Sequence, residues 1–116
     1  MLRAIKARGK KAGFSLLITE PIEVAEPHWN DLDVLCIVGT AMGIKGASMD
    51  AGVPDKIRSA RQIISERGLK TEVEADGGIR RETVPLLKAA GTDYIVPGSL
   101  MFKEDPPAMR DWLAAL

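Results

Sequence analysis

The sequence predicts an α/β fold: about four parallel strands with flanking helices, in a single domain over residues 1–116. Three observations carry this. Short apolar runs alternate with helical segments, the pattern of consecutive βαβ units. Loops containing glycine follow three successive strand-like runs. The helical segments between strands close at glycine and reach the next strand by short connections, as barrels and doubly wound sheets do.

The elements follow in order. Leu2 to Gly9 reads as a helix and Phe14 to Ile18 as a short apolar strand. Pro21 opens a short helix running toward Glu26, since proline suits a first helical position. Val34 to Val38 is a second strand, apolar throughout and therefore expected to be covered on both faces. Pro54 to Arg67 places Ile57, Ala60 and Ile64 on one helical face and closes at Gly68. Thr71 to Ala75 is a third strand, with Val73 and Ala75 alternating. Glu82 to Ala90 is a helix with Pro85 in its first turn, where proline is tolerated. Tyr94 to Val96 is a fourth strand. Met109, Trp112, Leu113 and Leu116 then form an i, i+3, i+4, i+7 stripe, which is core packing.

Composition excludes several classes of function. Apolar residues make up 46% of the chain, enough for a core, and Lys plus Arg equals Asp plus Glu at 16 each. No net positive field exists to gather nucleic acid or an anionic membrane. The cluster Lys6, Arg8, Lys10, Lys11 is read as a helix end, because no aromatic residues interleave with it. Cys36 is the single cysteine, so no intrachain disulfide is possible and a reducing, cytoplasmic setting is expected. It lies in an apolar run and reads as a small buried hydrophobe. No apolar stretch near Met1 is long enough for a signal peptide or a membrane span.

The chemistry concentrates in three loops: Gly43-Ile44-Lys45-Gly46, Asp76-Gly77-Gly78-Ile79 and Gly98-Ser99. Each follows a strand, and parallel α/β folds bind ligands at that end. Glycine lets backbone N–H groups approach a phosphate with no Cβ in the way. The plainer alternative is that these glycines only make tight turns. Asp76 sits at a strand end directly before two glycines. It is placed either to ligate a metal or move a proton, or to brace the loop, and the residues alone leave both open. His28, between Pro27 and Trp29, lacks the neighbours a metal site needs.

The run Val73-Glu74-Ala75-Asp76-Gly77-Gly78-Ile79, followed by Glu82 to Leu87 and Ala90-Gly91, resembles the seventh strand and helix of the ribulose-phosphate 3-epimerases. Val96 to Phe102 is similar to their eighth-strand phosphate loop, and Asp33 to Cys36 to their sixth strand. The resemblance covers nearly the whole chain. It implies the C-terminal half, strands five to eight, of a ribulose-phosphate-binding TIM (β/α)8 barrel, an isomerase fold of pentose phosphate metabolism. It implies interconversion of ribulose 5-phosphate and xylulose 5-phosphate by proton transfer α to a carbonyl. It makes Asp76 both acid/base and one ligand of a divalent metal ion (Zn, Fe, Mn or Co). It places the substrate phosphate against Gly43, Ile44, Lys45, Gly46, Gly77, Gly78, Gly98 and Ser99.

The sequence departs from that pattern in the loop after strand six. The family's Asn-Pro-Gly-Phe-Gly-Gly-Gln is here Ala41-Met42-Gly43-Ile44-Lys45-Gly46-Ala47, and the strand-five exit carries Leu17-Ile18 where Asn-Pro is usual. A barrel of this kind takes roughly 200 residues or more. The two histidine ligands and the second aspartate of the family belong to strands these 116 residues do not contain. The chain is therefore expected to be a fragment: two copies associate, another chain supplies the complementary half-barrel, or the reading frame is truncated. Two alternatives remain at this point. One is an FMN- or nucleotide-phosphate-binding barrel of the inosine-monophosphate dehydrogenase type, which shares Asp-Gly-Gly-Ile-Arg but needs a loop cysteine. The other is a non-catalytic phosphate-binding half-barrel.

Overall fold

The computed structural model describes residues 1–41, 48–98, 100–101 and 105–116. Within them, α1 (Leu2–Ala7), β1 (Gly13–Leu16), a 3-10 segment (Ile22–Asp31), β2 (Val34–Val38), α2 (Val53–Glu66), β3 (Glu72–Asp76), α3 (Val84–Ala90), β4 (Tyr94–Val96) and α4 (Pro106–Ala114) follow one another. The strands form one parallel sheet in the order β1-β2-β3-β4. The sheet has half the strands of an eight-stranded barrel, with helices flanking it as the alternating pattern requires.

Each strand divides its side chains between two faces because successive residues point to opposite sides. Leu16, Leu35, Ile37, Val73 and Ala75 are buried on one face. Helix α2 covers them with Val53, Ile57, Ala60 and Ile64, and α3 adds Val84, Leu87 and Ala90. The 3-10 segment contributes Ala25 and Trp29 to the same cluster, and α4 contributes Met109. Trp112 of α4 lies under the Arg81 guanidinium, 4.7 Å from its ring centroid. The segment after Pro21 is longer than expected and stays 3-10 throughout, with Pro27 inside it. Proline has no N–H to donate into a longer α-helix, which is one reason the tighter form persists.

The opposite face corrects one expectation. β2 is buried on one side only: Leu35 and Ile37 are covered, whereas Val34, Cys36 and Val38 are half-buried. An apolar strand reads as doubly covered, yet among the described residues nothing packs over this side. Exposed Ser15, Asp76, Tyr94 and Val96 share that open face with half-buried Glu72 and Glu74. In a closed barrel this is the face that points inward.

The lower end of the sheet, where the strands begin, is held by side-chain to backbone bonds. Asp33 Oδ2 accepts from the Ala12 N–H at 2.8 Å, while the Asp33 N–H donates to the Ala12 carbonyl at 2.7 Å. Asp93 repeats the arrangement two strands later. Its Oδ2 accepts from the Val73 N–H at 2.8 Å and its N–H donates to the Val73 carbonyl at 2.9 Å. Between these units, buried Thr71 donates its hydroxyl to the Leu32 carbonyl at 2.7 Å. Lys6 pairs with Asp33 and Lys11 with Glu72, so two of the clustered basic residues serve this end of the sheet.

Candidate active site

The upper end of the sheet carries the candidate site residues. Asp76 is the last residue of β3, and the pairing Val38↔Asp76↔Val96 puts it in a row between two valines on the open face. One step down the strand the row is Ser15↔Cys36↔Glu74↔Tyr94. Glu74 and Asp76 therefore share a face, two residues or about 6.6 Å apart along the strand. The sequence pattern contained this: Glu72, Glu74 and Asp76 alternate with Val73 and Ala75. Glu74 was nonetheless not singled out as a site residue, because it lies within the strand and precedes no glycine.

Two glycines follow Asp76 in conformations that L side chains rarely adopt, Gly77 at φ 94° and Gly78 at φ 69°. Both also lie against the loop after β2. A Cβ on Gly78 would stand 2.8 Å from the Met49 backbone, and one on Gly39 would stand 2.5 Å from the Gly77 carbonyl oxygen. The Gly39 N–H extends the β2–β3 ladder by donating to the Asp76 carbonyl at 2.7 Å. Neither Gly39 nor Gly78 has room for a side chain, so the residues flanking β2 and β3 at this end pack closely together. Gly39 is a site-forming residue that the spacing of the glycine loops did not reveal, since its constraint comes from a neighbouring strand.

The other expected contacts divide. Gly98 is described, exposed and at φ 51°, directly after Val96 and Pro97. Gly43, Ile44, Lys45, Gly46 and Ser99 lie outside the described residues. His28 is exposed and meets Phe14 edge-on with ring centroids 5.5 Å apart, a packing role at the β1 edge. Three hollows among the described residues have neither Glu74 nor Asp76 in their walls. One of about 430 Å³ lies near the upper end, lined by Met49, Pro54, Arg80, Thr83 and Leu86 among others, and Asp76 is not part of its wall. Others lie beside the outer edges of β1 and β4, against α1 and α4 respectively. The strand-end geometry locates the site better than these hollows do, because half of the surface that would enclose a barrel mouth is not in the sheet.

Electrostatics on the open face fit an acidic rather than a nucleophilic site. Partial burial pushes the Cys36 thiol above its usual range, and the Glu74 and Asp76 carboxylates add to the rise. A thiol kept protonated is a poor nucleophile. Tyr94 is also raised, chiefly by its hydrogen bond to Glu72. Among the described residues, no group of three or more His, Cys, Asp or Glu is placed to hold a metal ion. The described residues do not complete a metal centre around Asp76.

Comparison with known proteins decides the family. A family model described as "Ribulose-phosphate 3 epimerase family" matches residues 1–102. The chain belongs to that family. Three of its relatives are each named ribulose-phosphate 3-epimerase. That of Bacillus subtilis is 33% identical over 102 residues, covering 87% of this chain and 47% of the relative. That of Serratia marcescens is 31% identical over 101 residues, covering 87% and 48%. That of Chlamydia pneumoniae is 33% identical over 118 aligned residues, covering 100% and 52%. The chain thus spans about half the length of the curated relatives it matches. Membership sets aside the dehydrogenase-type alternative, in keeping with Cys36 lying inside β2 and not in a loop. Among the described residues, no helix is long and apolar enough to cross a membrane.

Proposed function

We propose that this epimerase-family chain supplies the phosphate grip and one acid/base group of an enzyme that interconverts ribulose 5-phosphate and xylulose 5-phosphate. The carrying observation is Asp76 on the open face at the end of β3, followed by two glycines with positive φ. A carboxylate there takes a proton from the carbon α to the substrate carbonyl, and returns one to it in the reverse direction. The glycine turns leave the backbone bare for a phosphate, which fixes the reacting carbon over the carboxylate. Gly77, Gly78 and Gly98 are the described contacts in this reading; Gly43, Ile44, Lys45, Gly46 and Ser99 complete it.

Inversion at one carbon needs proton donors on both faces. Asp76 serves one, and Glu74, a row lower and between Cys36 and Tyr94, lies on the same side of the sheet. The second acid, and the remaining ligands of the divalent metal that the resemblance implies, belong to a complementary half-barrel. That partner pairs with the outer edges of β1 and β4 and closes the open face. The cytoplasmic setting expected from the single cysteine suits such a sugar-phosphate enzyme.

The test is to titrate the chain with ribulose 5-phosphate while following backbone amides by NMR, and to assay turnover with added divalent metal. Shifts at Gly77, Gly78 and Gly98 are expected, with no net epimerisation by the chain alone. Absence of binding refutes the phosphate grip. Clear turnover by the isolated chain refutes the need for a second half.

A further inference from the structure

Thr83 is not one of the proposed ligand contacts, yet it is bonded to one of them. Its hydroxyl accepts from the Arg80 N–H at 2.8 Å and donates to the Gly78 carbonyl at 2.7 Å. A hydroxyl has one proton to give, so the more distant Arg80 carbonyl, at 3.2 Å, is the alternative acceptor. The Thr83 and Val84 N–H groups also close on the Arg80 carbonyl, at 3.1 and 2.9 Å. Three residues of the turn, Gly78, Arg80 and Thr83, are thereby bridged through one side chain. On its other side Gly78 has no space for a side chain, because Met49 stands where a Cβ would go.

A peptide unit is planar and trans, so its C=O and N–H point in opposite directions. Drawing the Gly78 carbonyl toward Thr83 therefore turns the Ile79 N–H to the opposite side of the chain, away from the start of α3. Glycine on its own does not hold such an orientation, because its backbone freedom is the largest of any residue. An external hydrogen bond must supply the order that two successive glycines lack.

We propose that Thr83 is a positioning residue for the phosphate grip: its hydroxyl fixes the Gly78–Ile79 peptide so that the Ile79 N–H becomes a phosphate donor. This rests on the phosphate-binding reading above and deepens it. Ile79 itself is 5% exposed. The buried side chain anchors the residue while its backbone serves the ligand, a division of labour that a glycine at that position would not provide.

Inorganic phosphate is the probe, titrated into the full chain and into Thr83→Val and Thr83→Ser, with the amide spectrum reporting both fold and binding. Valine matches the shape of threonine but makes neither bond. We expect Thr83→Val to bind phosphate about five- to tenfold more weakly, in line with the loss of one or two ordering hydrogen bonds. The Ile79 amide shift should vanish in it. Thr83→Ser should stay within about twofold of the parent, since the hydroxyl alone is needed. The serine rescue separates positioning from simple loss of fold. A folded Thr83→Val that binds as tightly as the parent overturns the inference and leaves the phosphate reading standing. A parent chain that binds no phosphate overturns both.

Discussion

The two ends of the sheet are held in different ways. At the lower end, side chains hold backbone: Asp33 grips Ala12, Asp93 grips Val73 and Thr71 grips Leu32. At the upper end, backbone packs against backbone, with the Thr83 hydroxyl bonding the turn from one side. Gly39 and Gly78 lie so close to the Gly77 and Met49 backbone that a Cβ on either would clash. The difference follows from what each end must do. A carboxylate that accepts a buried N–H is spent on structure and is not free for a ligand. A bare turn keeps its amides available, at the cost of tolerating no side chain. Stability at one end and ligand access at the other is the division that α/β barrels use generally.

The comparison can be broken most forcefully at Gly78. Gly78→Ala meets both a positive φ and the Met49 backbone, so about 3 kcal/mol of stability should be lost in urea unfolding, with phosphate binding lost as well. A nearly neutral alanine there means the upper end is not backbone-locked. Asp93→Ala is the matching change below. It strips the acceptor from the Val73 N–H and the partner from Arg61, and should cost about 1–2 kcal/mol while leaving phosphate affinity unchanged. An effect on binding as large as that of Gly78→Ala removes the distinction between the ends.

The lower end also has a pH signature. The bond from the Ala12 N–H holds the Asp33 carboxyl below its usual range, with Lys6 and Lys11 assisting against the opposing effect of desolvation. A carboxylate with a depressed folded value stabilises above the unfolded pKa of about 3.9, and this contribution is lost as the pH falls through the folded value. Stability measured between neutrality and acid should therefore fall in the region below about pH 4, and Asp33→Asn should flatten that part of the curve. An unchanged acid limb in the variant contradicts the assignment. The smallest effect is expected at Asp76. It is exposed, so Asp76→Asn should leave stability within about 0.5 kcal/mol. Removing its negative charge should not weaken phosphate binding, whereas removing a glycine turn should.

Sequence reading recovered the order of elements because periodicity and glycine punctuation are local signals. Val34–Val38 and Tyr94–Val96 fall where the apolar runs put them. Asp76-Gly77-Gly78 was legible for the same reason: a strand, an acid and a turn are adjacent in the chain. What escaped was set by neighbours distant in sequence. The bareness of Gly39 is imposed by the Gly77 carbonyl, and the open side of β2 by the lack of a covering layer among the described residues. Apolar composition alone cannot distinguish a strand covered twice from one whose second cover lies beyond these residues. The bonds of Asp33 and Asp93 escaped as well, since nothing in their local pattern names Ala12 or Val73 as partners.

Those two aspartates also act as a gauge. Each bonds a residue 21 or 20 positions earlier, so the two βαβ units close loops of nearly equal length and equal entropic cost. Each lock engages only when its strand pair is in register. A slip of one residue would present every side chain of a strand to the wrong face. Asp76 would then turn toward the helices, and Ala75 would take its place at the mouth. The direction in which the acid points is therefore measured out at the far end of the sheet, by carboxylates that never approach the ligand.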